Sequence, residues 1–276
     1  MSSGEAESVM RKSAAARGTG GMIRGAAQGG AMLAAGLAVI QGAPGITAIG
    51  PVRRRWFPAL AGYGRAGHVA LTFDDGPDPS STPRFLSLLD RRGVRATFFM
   101  LGSLAAREPR LAAEVAAAGH EIAVHGWEHR YMTVRGPRAI RDDLRRALGT
   151  IAETTGTAPR FFRPPYGVLS GGALLAAGGL RLTPLLWTCW GREWVPGATP
   201  RSVQTTLISG LGSGGTVLLH DSDAASPHGA SLLALTALPR LLDECARRNL
   251  WVGTAAEHGI GTTPGGLAAS PPGGFW

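Results

Sequence analysis

A chain of 276 residues that is 44% hydrophobic and 17% charged is too long for a stapled peptide and too apolar for a charge-rich disordered protein, so it builds one or two folded domains. Its two cysteines, Cys189 and Cys245, exclude a disulfide framework and a cysteine-rich metal cluster, and leave open one bridge or two buried thiols. The net charge of +9 is uneven: residues 1–60 hold seven cations against Glu5 and Glu7, and the remainder has no arginine stripe interleaved with aromatics, so nucleic acid is excluded as a partner.

From the N-terminus, residues 25–52 run for 28 positions without a charge, long enough for the roughly 20 that a membrane-spanning helix needs. Gly, Pro and Gln interrupt the run, and only 31–40 (AMLAAGLAVI) is strongly apolar, so a Gly/Ala-rich linker is the competing reading. Basic residues flank both ends, which gives no orientation, and no small-residue cleavage site follows. The expectation is a basic, Gly/Ala-rich leader over 1–60 with a membrane-associating segment at 25–52. A catalytic domain follows over 61–260, and 261–276, with its PGG and PPGG, reads as a flexible tail.

After residue 67 short β-rich apolar runs alternate with longer Ala/Leu/Arg stretches. The spacing predicts strands at 68–73, 95–100, 120–124, 160–162, 181–187, 216–219 and 250–253. Helices are predicted at 81–92, 104–118, 137–155, 170–177, 200–211 and 230–249. This is a parallel α/β pattern, either a barrel or an open doubly wound sheet.

Residues of catalytic type follow five of these strands, at the end where α/β barrels place active sites. They are Asp74 and Asp75, then His125 and His129, Arg163 with Tyr166, Glu193 with Trp194, and His220 with Asp221. Each has an ordinary reading alone: Asp-Gly-Pro is a turn, and two histidines four apart share one helix face. Together they define chemistry, because one carboxylate and two histidines make a facial metal site with positions open for water and substrate. Adjacent aspartates at a strand end point apart, so Asp75 can hold metal while Asp74 serves as general base. His220, on another strand end, is placed to protonate a leaving amine.

The ordered motifs 72–77 (TFDDGP), 125–129 (HGWEH), 163–166 (RPPY) and 218–220 (LLH) resemble those of the polysaccharide deacetylases, the NodB-homology group of carbohydrate esterase family 4. The resemblance covers about residues 67–258. It implies a distorted (β/α)7 barrel, a divalent metal, most often Zn2+, and removal of N-linked acetyl groups from amino sugars. It makes Asp74 the base, Asp75, His125 and His129 the metal ligands and His220 the acid. Arg163 would orient Asp74, and the Tyr166 backbone N–H would meet the tetrahedral oxyanion. Two departures stand out. Gly126 replaces the family's usual Ser or Thr, and 190–194 (WGREW) replaces a D-x-x-D-W motif, so Glu193 stands for its second acid and Trp190 for its first. Trp194 and Leu218 are expected to wall the acetyl pocket, and Glu193 to accept a hydrogen bond from His220.

The expected function is a metal-dependent hydrolase that removes N-acetyl groups from a peptidoglycan-like or chitin-like glycan. The alternatives are a hydrolase of a non-sugar amide on the same barrel, or an inactive glycan-binding relative. The expected location is the cell envelope, through the N-terminal segment, with the cytoplasm as the alternative.

Overall fold

The computed structural model describes residue 36 and residues 38–260. Residues 25–35 and 37 of the candidate membrane segment and the tail at 261–276 lie outside the described residues. The chain divides into two compact units at 43/44, and the second, from Pro44 onward, carries the sheet.

Eight parallel strands form one curled sheet: β1 (His68–Asp74), β2 (Thr97–Met100), β3 (Glu121–Val124), β4 (Phe161–Phe162), β5 (Thr183–Pro184), β6 (Cys189–Trp190), β7 (Thr216–His220) and β8 (Trp251–Gly253). Seven follow one path, β5-β4-β3-β2-β1-β7-β6, and β8 pairs with the first half of β1. This is the distorted (β/α)7 barrel anticipated from the motifs. Every residue of β1 is buried, as a central strand covered on both faces must be. Its alternation divides the interior: Val69, Leu71 and Phe73 face the outer helices, where Phe73 packs against Phe85 and Phe98 at 5.1 and 5.0 Å between ring centroids. Burial of each such ring contributes about 1.5–3 kcal/mol. Thr72 and Asp74 lie on the other face, toward a small inner cluster of Phe99, Ala123, Phe161 and Leu185.

The helices are α1 (Gly50–Trp56), α2 (Thr82–Arg92), α3 (Gly102–Arg107), α4 (Pro109–Ala117), α5 (Pro137–Thr155), α6 (Gly171–Gly179), α7 (Pro200–Gly210) and α8 (Ala230–Arg247). In α5 the buried Ile140, Leu144, Ala147 and Ile151 recur at helical spacing along one face. The helix expected over 104–118 is two helices, because Pro109 has no N–H to continue the first turn and instead opens the second. The strand expected over 181–187 is short. Beyond Pro184 the Leu185 N–H still reaches Phe162, but the Leu186 N–H turns to the carbonyl of Leu60.

Residues 44–60, read from sequence with the leader, belong to the same compact unit as the sheet. Arg53 of α1 is buried and donates to the carbonyls of Trp187 at 2.8 Å and Thr47 at 3.2 Å. Residues 38–52 fall into short helical pieces, with a 3-10 helix over Ala43–Ala48 and a bend at Ile49, and among the described residues no helix is long and apolar enough to cross a membrane. Both cysteines are free and buried, and burial pushes their thiols up, to about 12 for Cys189 and about 11 for Cys245.

Candidate active site

The ends of β1, β3, β4, β6 and β7 open into one cleft of about 420 Å³. Asp74, Asp75, His125, His129, Tyr166, Trp194, Leu218 and His220 all line it, so eight of the ten residues given a role from sequence meet there. Arg163 and Glu193 are buried behind it, each against one of the eight.

Asp74 ends β1 on the inner face. Arg163, fully buried, fixes it: Nη1 donates to Asp74 Oδ1 at 2.5 Å and to Thr72 Oγ1 at 2.9 Å. Nε and Nη2 donate to the carbonyls of Leu185 and Leu186 at 3.0 and 3.1 Å. The guanidinium carbon lies 3.9 Å from the Phe99 ring centre. Four hydrogen bonds and a ring face hold one charge in a dry interior, where a single missing partner is costly.

Strict strand alternation would turn Asp75 away from the cleft. A φ of 77° takes it off the strand pattern, and both carboxylates line the same cavity. Asp75 Oδ1 is buried without a hydrogen-bond partner and lies 3.4 Å from His125 Nε2 and 3.6 Å from His129 Nε2. One ligand atom from each of the three lies within 4.8 Å of the others. Burial works to raise the Asp75 carboxyl, but the close approach of His125 and then the charge of His220 outweigh it and bring it down to about 2.

His125 Nδ1–H donates to the Arg163 carbonyl at 2.8 Å, which turns Nε2 toward two carboxylates. Ring nitrogens and carboxylate oxygens converging this closely leave a place that fits a cation, and the two imidazoles with one carboxylate suit zinc. Burial and the neighbouring His125 charge hold His129 down to about 4, in the neutral form that ligates metal. The two imidazoles converge without a helix. Residues 125–132 form a loop in which Gly126 adopts φ 94°, a conformation that a residue with a Cβ would adopt only with strain. Asp143 of α5 holds the loop by accepting from the Trp127 N–H at 2.8 Å.

Across the cleft His220 ends β7, and burial alone would lower its basicity. The hydrogen bond and charge of Glu193, followed by the charges of Asp75 and Asp74, prevail and push it up to about 9. Trp190 continues the wall, with ring centres 5.4 Å from Trp187 and 5.6 Å from Trp194.

Two residues near the site have no role in the sequence reading. Asp221 is buried beside His220 and accepts from Thr82 Oγ1 at 2.5 Å; burial first, and Asp75 in addition, push its carboxyl up to about 7. Its signal was a second acid directly after a strand-end histidine. Tyr131 lines the cleft and stacks on Tyr166, and an aromatic in a loop carries no sequence signal of that kind.

A curled parallel sheet with an Asp/His/His triad, a fixed carboxylate and a carboxylate-backed histidine at its strand ends has the architecture of a hydrolase barrel. The chain belongs to the polysaccharide deacetylase family, whose pattern it matches over residues 61–184. It is similar to a chitooligosaccharide deacetylase from Bradyrhizobium sp. (strain ANU 289), with 35% identity over 55% of this chain and 70% of that protein. A peptidoglycan-N-acetylglucosamine deacetylase from Bacillus cereus is 35% identical over 55% of this chain and 72% of the relative. The chain spans only 32% of the length of the peptidoglycan-N-acetylglucosamine deacetylase PgdA of Listeria monocytogenes. Among solved structures, a family 4 carbohydrate esterase from Streptomyces lividans is 32% identical with a TM-score of 0.61, covering 69% of this chain and 93% of the other.

Proposed function

We propose that this chain is a metal-dependent hydrolase that removes N-acetyl groups from an amino-sugar polymer or oligosaccharide of the peptidoglycan or chitin kind. The observation that carries this reading is the meeting, in one cleft, of a carboxylate pinned by a buried arginine, an Asp/His/His triad with an unpartnered buried oxygen, and a histidine backed by a carboxylate. An amide needs all three, because its carbonyl must be polarised, water must be deprotonated, and the departing nitrogen must receive a proton. The names of the relatives supply the sugar.

Asp75, His125 and His129 would hold the metal, with zinc the ion their donor set suits. When bound, it supplies Lewis acidity toward the acetyl carbonyl and lowers the pKa of water. Asp74 accepts the proton from the attacking water at Oδ2, since Oδ1 is taken by Arg163. His220 carries a proton, and Glu193 on Nδ1 directs Nε2 as the atom that gives it to the leaving amine. The Tyr166 backbone N–H serves the oxyanion, and Trp194 and Leu218 enclose the acetyl methyl. A substrate of this class lies in the cell envelope. Exposed Ile46, Ile49, Trp56 and Phe57, close in sequence to the exposed Arg54 and Arg55, support association with a membrane surface there.

The test is acetate release from chitooligosaccharides and peptidoglycan fragments by the zinc-reconstituted chain. Release from both wild-type substrates above a metal-free control is expected, and none from either ends the reading.

A further inference from the structure

We infer that the outer face of Tyr131 is a stacking subsite for the sugar ring next to the one that reacts, so that the cleft reads an oligomer and not a single amino sugar. This inference rests on the deacetylase reading above and deepens it.

Three rings form a ladder from the metal-ligand cluster outward. Tyr166 meets His129 edge-on, with centroids 4.3 Å apart and planes at 64°. Tyr131 then stacks on Tyr166 at 3.8 Å and 10°. One face of Tyr131 is therefore covered by Tyr166, and the other is the last apolar surface in the series. Tyr131 is 50% exposed and lines the cleft, so it is accessible to the cavity's occupant.

The ring is held in place, which matters because ordering a loose side chain on binding erodes affinity. Next in sequence, Met132 is 2% exposed and anchors the loop in the core. Asp143 secures both sides of it, accepting from the Trp127 N–H at 2.8 Å and from Arg135 at 2.6 Å. The Tyr166 hydroxyl lies 3.4 Å from the His129 carbonyl, tying the middle ring to the same loop. An exposed tyrosine has no folding reason to be fixed so firmly.

The chemistry that fits such a surface is the C–H-lined face of a pyranose, which presents weakly positive hydrogens to the negative face of an aromatic ring. Trp190 and Trp194 line the same cleft, so a glycan strand there would meet further aromatic surface. A cleft of about 420 Å³ is also far more than an acetamido group requires. Tyr131 is thus a specificity residue, two ring spacings from a ligand histidine and clear of the proton-transfer groups.

The experiment compares wild type, Tyr131→Ala and Tyr131→Phe as zinc-loaded full chains on N-acetylglucosamine and its β-1,4-linked tetramer. The ratio of kcat/KM for tetramer over monomer should fall about tenfold in Tyr131→Ala, mostly through KM, and stay within about twofold in Tyr131→Phe. Tetramer binding to metal-free protein, followed by tryptophan fluorescence, should weaken by a similar factor in Tyr131→Ala. An unchanged ratio and unchanged binding in Tyr131→Ala overturn the subsite. A Tyr131→Phe variant that loses as much as Tyr131→Ala also overturns it, since the hydroxyl and not the ring face would then be responsible. If wild type releases no acetate from either sugar, the deacetylase reading fails, and tetramer binding to metal-free protein still decides the subsite by itself.

Discussion

A single oxygen of Glu193 accepts two hydrogen bonds from His220, one from its backbone N–H at 2.9 Å and one from its ring Nδ1 at 2.8 Å. The carboxylate therefore fixes both where β7 ends and which ring nitrogen faces the cleft. Gly191 leaves room for this glutamate: a Cβ there would come within 2.5 Å of Glu193 Oε2.

The pH dependence follows with a definite sign. A proton donor is competent while protonated, so raising the imidazole toward 9 extends activity to higher pH, and activity falls as pH rises through that value. Glu193→Gln keeps size and an accepting oxygen but removes the charge. The alkaline limb of the kcat profile should move to lower pH by about one unit or more. An unmoved limb with an undiminished rate would reduce Glu193 to a loop support.

Metal removal separates ligands from supporting groups. Exhaustive chelation should abolish acetate release, and zinc should restore it. In calorimetric titration of metal-free protein, Asp75→Ala should weaken zinc binding by more than the roughly 10–100-fold that loss of an outer partner causes. Near-native affinity in that variant would exclude Asp75 as a ligand.

Asp74 and Arg163 predict different losses from one ion pair. Asp74→Asn keeps an oxygen for Arg163 and leaves the triad intact, so zinc content should stay near wild type while turnover falls about 100 to 10,000-fold. Arg163→Ala strands a buried carboxylate and removes four hydrogen bonds. It should lower the unfolding free energy of metal-free protein by about 3–5 kcal/mol in denaturant titrations. A stability loss confined to Asp74→Asn would reverse this division of roles.

Much of the site was legible because a parallel barrel writes its chemistry at strand ends, and runs such as 68–73 and 216–219 are marked by continuous apolar residues. What was not legible depended on single backbone choices. The inward turn of Asp75 rests on one left-handed φ, and the convergence of His125 and His129 on the path of a loop that has no periodicity to read. β6 is two residues long, too short for any periodicity, although it carries Trp190 into the cleft wall. Helix α1 was hidden by composition, since three consecutive arginines read as a solvated basic flank while one of them, Arg53, is buried.

That arginine separates two truncations. Arg53 donates to the Trp187 carbonyl, and its guanidinium lies 5.0 Å from the Trp187 ring, with Leu60 packed on the same cluster of Leu186, Trp187 and Leu218. Burial, and then the charges of Arg163 and Arg54, lower Arg53 to about 10, which leaves it cationic at neutral pH and its hydrogen bonds charge-assisted. A chain beginning at 44 keeps this support, whereas one beginning at 61 loses it and exposes the back of the wall that carries Trp187. Charged hydrogen bonds of this kind contribute about 1.5–3 kcal/mol, which for a domain of this size is a fall in melting temperature of about 3 to 12 °C. The chain from 44 should melt with the full-length protein, the chain from 61 should melt lower by that amount, and Arg53→Ala in the full chain should reproduce much of the fall. If the chain from 61 melts with the full-length protein in scanning calorimetry, residues 44–60 contribute nothing to the barrel and the boundary returns to 60.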